Sequence, residues 1–144
     1  MIEAGQKALV LNSGYFGDSF VTLLVELWQN RANDWLNRSF ADCFAAYGVE
    51  VDQVGAPVGG RPDLAEVEAA LKKEKYAVLT FTHVDTSTGV LSDAKAIAEV
   101  VQRVSPGTLV VLDGVCSVAS EEIRMDDWGI DVVSPLSWRR GIRC

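Results

Sequence analysis

Tyr76-Ala77-Val78-Leu79-Thr80-Phe81-Thr82 and, further on, Leu109-Val110-Val111-Leu112 decide the fold of this chain. Each run is almost wholly apolar and too short for a core helix. Neither shows the alternation of a strand wetted on one side, so each reads as a strand covered on both faces. Both runs end in polar residues. The first continues as His83-Val84-Asp85-Thr86-Ser87-Thr88-Gly89-Val90, the second as Asp113-Gly114-Val115-Cys116-Ser117. Between them Asp93 opens a helix whose Ile97, Val100, Val101 and Val104 form one apolar stripe, and Pro106-Gly107 ends it.

The pattern repeats outward. Ala8-Leu9-Val10-Leu11 is a buried strand closed by Asn12-Ser13-Gly14, and a helical stretch is expected over residues 18–47, with Gly48 as its C-terminal cap. Val49-Glu50-Val51-Asp52-Gln53-Val54 alternates like a strand exposed on one side, and residues 55–62 are a Gly/Pro loop. Asp63 caps the next helix, with Glu66 spaced for a capping box and Leu64, Val67 and Leu71 on one face. Ile130-Asp131-Val132-Val133 is a candidate fourth buried strand. Strands alternating with amphipathic helices give an α/β fold, a mostly parallel sheet with helices on both faces. Ligands of such sheets bind beyond the carboxyl ends of the strands, where Asn12-Ser13-Gly14, Thr82-His83 and Asp113-Gly114 gather.

With 144 residues there is enough chain for one domain with its own core. The net charge of -7, with no basic stripe, argues against nucleic acid as a partner. Cys43, Cys116 and Cys144 are few, odd in number and far apart, which suits free thiols in a reducing compartment. Met1-Ile2-Glu3-Ala4-Gly5 carries no apolar signal core, and no apolar run reaches the ~20 residues that cross a bilayer. The expectation is an intracellular protein without a membrane partner, its finer compartment left open.

Asp113 is the residue with the strongest chemical demand. A carboxylate at the end of an apolar strand is partly desolvated and needs a cationic or donor partner. A metal ion, the protonated ring nitrogen of pyridoxal phosphate, and plain capping of the next turn all meet that need. Ser87 and Thr88 stand in a turn of small hydroxyl residues, where they can bond a ligand oxygen or the backbone; Gly89 suits a positive φ. His83 is the only histidine, and His83 with Asp85 is too small a set for a metal site, so no metal is assigned. Phe16 offers an aromatic face to a planar ligand or to the core. No Gly-rich dinucleotide fingerprint follows any strand.

Three stretches together resemble the class V aminotransferases of pyridoxal-phosphate fold type I, and among them the alanine–glyoxylate or serine–pyruvate type. They are Val10-Leu11-Asn12-Ser13-Gly14-Tyr15-Phe16-Gly17-Asp18-Ser19-Phe20, Thr82 to Leu91, and Val111-Leu112-Asp113-Gly114-Val115-Cys116-Ser117-Val118-Ala119-Ser120-Glu121-Glu122. The resemblance covers most of the chain and implies that residues 1–144 are part of the cofactor-binding large domain. It implies that Asp113 pairs with the pyridine nitrogen, that Val115 and Phe16 pack on opposite faces of the ring, and that Ser87 bonds near its phenolic oxygen. The implied cofactor is pyridoxal 5'-phosphate, and the implied reaction moves an amino group from alanine (or serine) to glyoxylate. Amino and keto acids are the implied substrates and a homodimer the implied assembly.

The sequence also departs from the family. Where the family carries Ser-Gln-Lys-Gly, with the Schiff-base lysine, this chain has Ser137-Trp138-Arg139-Arg140-Gly141. Arginine keeps its proton and cannot act as an amine nucleophile, so no catalytic residue is assigned near Arg139 and Arg140. Residues 21–40 read as an insertion and residues 134–144 as an altered tail, as a retained intron and a frame change would produce. The family's phosphate-binding turn and small C-terminal domain are not found in these residues. The expectation is therefore a partial aminotransferase domain inactive alone. The alternative is a catalytically dead fragment that acts at most by associating with a full-length subunit.

Overall fold

The structure, a computed structural model, describes residues 5–13, 48–57, 59–86 and 88–134. The helix expected over residues 18–47, the insertion at 21–40 and the tail beyond Ser134 lie outside the described residues. In chain order the elements are β1 (Lys7–Asn12), β2 (Glu50–Gly55), α1 (Leu64–Lys73), β3 (Val78–Thr82), β4 (Val84–Asp85), β5 (Val90–Leu91), α2 (Ala94–Val104), β6 (Leu109–Asp113), α3 (Met125–Trp128) and β7 (Val132–Ser134). Five strands form one parallel sheet in the order β2-β1-β3-β6-β7. From β1 the chain builds first toward β2 and then, through β3, the other way. That reversal is a topological switch point, the place where open α/β sheets form a ligand crevice.

Register brings the strand ends level. Leu11 lies beside Phe81, Thr82 beside Asp113, and Asp113 beside Ser134. Period-two alternation then sorts the side chains. Leu9, Leu11, Leu79, Phe81, Val110 and Leu112 turn to the face that meets Val67 and Leu71 of α1 and Ile97 and Val101 of α2. Ala8, Val78 and Val111 belong to a second cluster with Val49 and Val51 on the opposite face. Thr82 and Asp113 follow the alternation to that second face.

Both long helices start where the sequence places them. The Asp63 carboxylate accepts the N–H of Ala65 at 2.8 Å, and the Asp93 carboxylate accepts that of Ala96 at 3.0 Å. The capping box at Glu66 is corrected: Asp63 closes on Ala65 instead, and Glu66 is exposed. Leu64 is also corrected. It is 36% exposed at the first position of α1, before the buried stripe of Val67 and Leu71 begins. Leu109 is 43% exposed and Val132 is 47% exposed, so β6 and β7 are only partly covered.

The fourth strand is present but starts later than expected. Gly129, at φ 71°, closes α3 in the left-handed conformation, Ile130 is buried, and the Asp131 carboxylate accepts the Val110 N–H at 2.7 Å. Asp131 thus ties the entry of β7 to β6 before the strand pairing takes over at Val132. Across the sheet, Tyr76 donates its hydroxyl to Asp52 at 2.7 Å, and desolvation together with that bond raises the phenol's pKa.

Candidate functional site

The polar ends of β1, β3, β6 and β7 meet at one rim. Asp113 stands at its centre, half-buried, where the register has set it between Thr82 and Ser134. Its carbonyl accepts the His83 N–H at 3.0 Å, and its Oδ1 accepts the Val115 N–H at 3.1 Å. Burial pushes the carboxyl above its ordinary range, and the Val115 N–H opposes that only in part. Among the described residues no cationic side chain forms an ion pair with Asp113. Among the described residues the rim therefore carries a desolvated carboxylate with one backbone donor and no counter-charge.

Gly114 is fixed by packing. Its N–H donates to Ser134 at 3.0 Å, and a Cβ there would meet Val118 Cγ2 at 2.8 Å and Val133 Cγ1 at 3.1 Å. Beyond it the chain turns tightly, with Ser117 and Val118 both donating to the Gly114 carbonyl. The turn leaves Val115, 36% exposed, as an apolar side chain two residues from the carboxylate. Cys116 beside it is an exposed free thiol.

After β3 the chain forms a hairpin that sequence reasoning did not resolve. β4 and β5 pair antiparallel, Asp85 beside Val90, and the Gly89 N–H closes the turn on Asp85 at 2.8 Å. Gly89 has the expected positive φ, 72°. The Thr88 hydroxyl in this turn is buried without a hydrogen-bond partner, as are the hydroxyls of Thr80 and Ser117. Such groups are costly unless a ligand or water meets them. Sequence pointed to Thr88 as a turn residue; the signal for Thr80 was a hydroxyl between Leu79 and Phe81 in a strand covered on both faces. Phe16, Ser87, Arg139 and Arg140 lie outside the described residues, so only Asp113 and Val115 of the expected set are placed, and they are placed together.

The residues at the rim fit a flat, cationic heteroaromatic ring: an uncompensated carboxylate, a neighbouring apolar side chain and a buried hydroxyl without a partner. Among the described residues no three His, Cys, Asp or Glu side chains converge as metal ligands, and no helix is long and apolar enough to cross a membrane.

A parallel α/β sheet with its polar groups on the carboxyl rim is an architecture common to many ligand-binding folds, and here it matches part of the large domain of solved aminotransferases of pyridoxal-phosphate fold type I. The family model for class-V aminotransferases matches residues 17–135, and the chain belongs to that family. It is 45% identical over 93 residues to alanine–glyoxylate aminotransferase 1 of Saccharomyces cerevisiae, covering 64% of this chain and 24% of that protein. To the alanine–glyoxylate aminotransferase of Callithrix jacchus it is 31% identical, covering 88% of this chain and 28% of the relative. A crystal structure of alanine–glyoxylate aminotransferase from Nostoc sp. superposes with a TM-score of 0.67 at 28% identity, covering 92% of this chain and 29% of that one. The chain thus spans about a quarter of the length of the curated relatives it matches. The family is pyridoxal-phosphate-dependent and acts on amino and keto acids.

Proposed function

We propose that this chain supplies the cofactor-gripping rim of an aminotransferase that transfers the amino group of alanine (or serine) to glyoxylate. The observation that carries this is Asp113, a half-buried carboxylate held by one backbone N–H and lacking a cation among the described residues. Pyridoxal phosphate, when bound, supplies a protonated ring that draws electrons from a C–H bond beside the amine. Asp113 would hold the proton on the ring nitrogen, because a carboxylate in a low-dielectric site favours the charged form of its partner. Val115 would pack on one ring face and Phe16 on the other, while Ser87 and the unpartnered Thr88 hydroxyl orient the ring's oxygen edge. The likeness to alanine–glyoxylate aminotransferases of yeast and marmoset supports the choice of substrates.

This chain would not make the covalent bond to the cofactor itself, since Arg139 and Arg140 stand where the family's lysine is expected and neither can lose its proton. Its contribution to turnover would then come through pairing with a full-length subunit, in keeping with a family homodimer. Equilibrium dialysis of the full chain against pyridoxal phosphate tests the first half: saturable binding, lost in Asp113→Ala, is expected, and binding untouched by that substitution refutes it. Pyruvate formation from alanine and glyoxylate by the chain alone, with a borohydride-fixed label on one of its lysines, would overturn the second half.

A further inference from the structure

On the helix side of the rim, across the sheet from Asp113, a surface cleft of about 260 Å³ opens at the first turn of α2. Arg61, His83, Asp93, Lys95, Glu121 and Trp128 line it. Most of its charges are already engaged. The Asp93 carboxylate caps α2, Lys95 reaches Glu99 at 3.8 Å, and the neighbouring Glu122 is paired with Arg124 at 2.6 Å. Arg61 and Glu121 are not: among the described residues neither forms an ion pair, and they do not pair with each other across the cleft. Its inner wall holds His83, only 3% exposed, whose Nδ1 is buried without a partner.

A lone anion entering here would meet Glu121, Glu122 and Asp93. A lone cation would meet Arg61 and Lys95. A molecule carrying both signs satisfies the two unpaired groups at once, and the volume is several times the ~30 Å³ share of a water molecule. The half-buried ring of Trp128 and Leu91 add apolar wall for a short side chain. We propose that this cleft binds a small zwitterion, a free α-amino acid, its carboxylate toward Arg61, its ammonium toward Glu121, packed against His83. This site is separate from the cofactor rim and does not depend on the function proposed above. The two are joined through one backbone bond, from the His83 N–H to the Asp113 carbonyl.

His83 is the only histidine in the chain, so its ring Cε1 proton gives a single NMR signal. The test is to titrate the full chain, free of pyridoxal phosphate, with L-alanine and follow that signal. The expected result is a saturable shift with a midpoint near ~1 mM, and at least about tenfold weaker effects from acetate or methylammonium alone. Arg61→Gln and Glu121→Gln, both at exposed positions, are expected to abolish the shift, while Asp113→Asn leaves it intact. Absence of a shift up to ~50 mM, an equal shift with acetate, or a shift that survives Glu121→Gln overturns the proposal. So does its loss in Asp113→Asn alone, which would move the binding to the rim; loss of cofactor binding in that variant with the alanine shift retained separates the two sites.

Discussion

Asp113→Asn removes a charge and little else. The amide keeps the shape of the side chain and an oxygen to accept the Val115 N–H now held at 3.1 Å. In the folded chain burial holds the carboxyl above its ordinary pKa, and no cation among the described residues offsets it. In the unfolded chain the same group titrates at its ordinary value. Between those two values the folded state binds more protons, so stability falls as pH rises through that window. Below the unfolded value both states are protonated and the penalty vanishes. The variant is therefore expected to be more stable than the parent at pH 7, without ligand, by about 1 kcal/mol. For a domain of this size that is about 3 °C in melting temperature, and the gap should close below about pH 3. Adding pyridoxal phosphate reverses the order. A charge-assisted hydrogen bond to the ring is worth about 1.5–3 kcal/mol, so the variant should lose about 10- to 100-fold in affinity and most of its ligand-induced rise in melting temperature. Thermal melts followed by circular dichroism across pH, with and without cofactor, read both effects. A ligand-free variant that is less stable than the parent at pH 7 would refute the reasoning, because the carboxylate would then already have its partner.

Ile97, 2% exposed beneath the sheet, should cost about 3 kcal/mol when cut to Ala, read as a lower urea midpoint with an unchanged slope. Gly114→Ala drives a methyl to within 2.8 Å of Val118 and 3.1 Å of Val133, so a loss of about 1–3 kcal/mol is expected, together with weaker cofactor binding as the Asp113 turn shifts. The His83 imidazole should titrate below its ordinary pKa by NMR, since burial outweighs the opposing pull of Glu121, and Glu121→Gln should lower it further. Because the unfolded chain then binds the proton at the higher pH, His83 makes the fold weaker as pH drops through that ordinary value.

The strands that hold the site were legible because their runs are apolar on both faces, although of β3 and β6 only β3 is buried on both sides. Residues 76–82 and 109–112 have almost no polar positions, and a carboxylate following such a run is conspicuous, which is why Asp113 could be singled out before its surroundings were known. Leu109 and Val132 misled for the same reason: an apolar run does not say where cover thins toward the edge of a sheet. The β4–β5 hairpin was invisible because each of its strands has two residues, too few for any period to register. Ala94 and Ala98, both buried on α2, escaped because small side chains carry little hydropathic signal. The cleft at His83 and the unpartnered hydroxyls of Thr80, Thr88 and Ser117 depend on which side chains meet in space, and no linear pattern encodes that.

The most direct test is ¹⁵N NMR of pyridoxal phosphate labelled at its ring nitrogen and added to the full chain. Taken at an alkaline pH above that at which the free cofactor's ring nitrogen loses its proton, the expected spectrum is that of a protonated ring nitrogen, reverting to the unprotonated free-cofactor signal in Asp113→Asn. A bound cofactor whose ring nitrogen stays unprotonated, or is equally protonated in both proteins, would contradict the role assigned to Asp113.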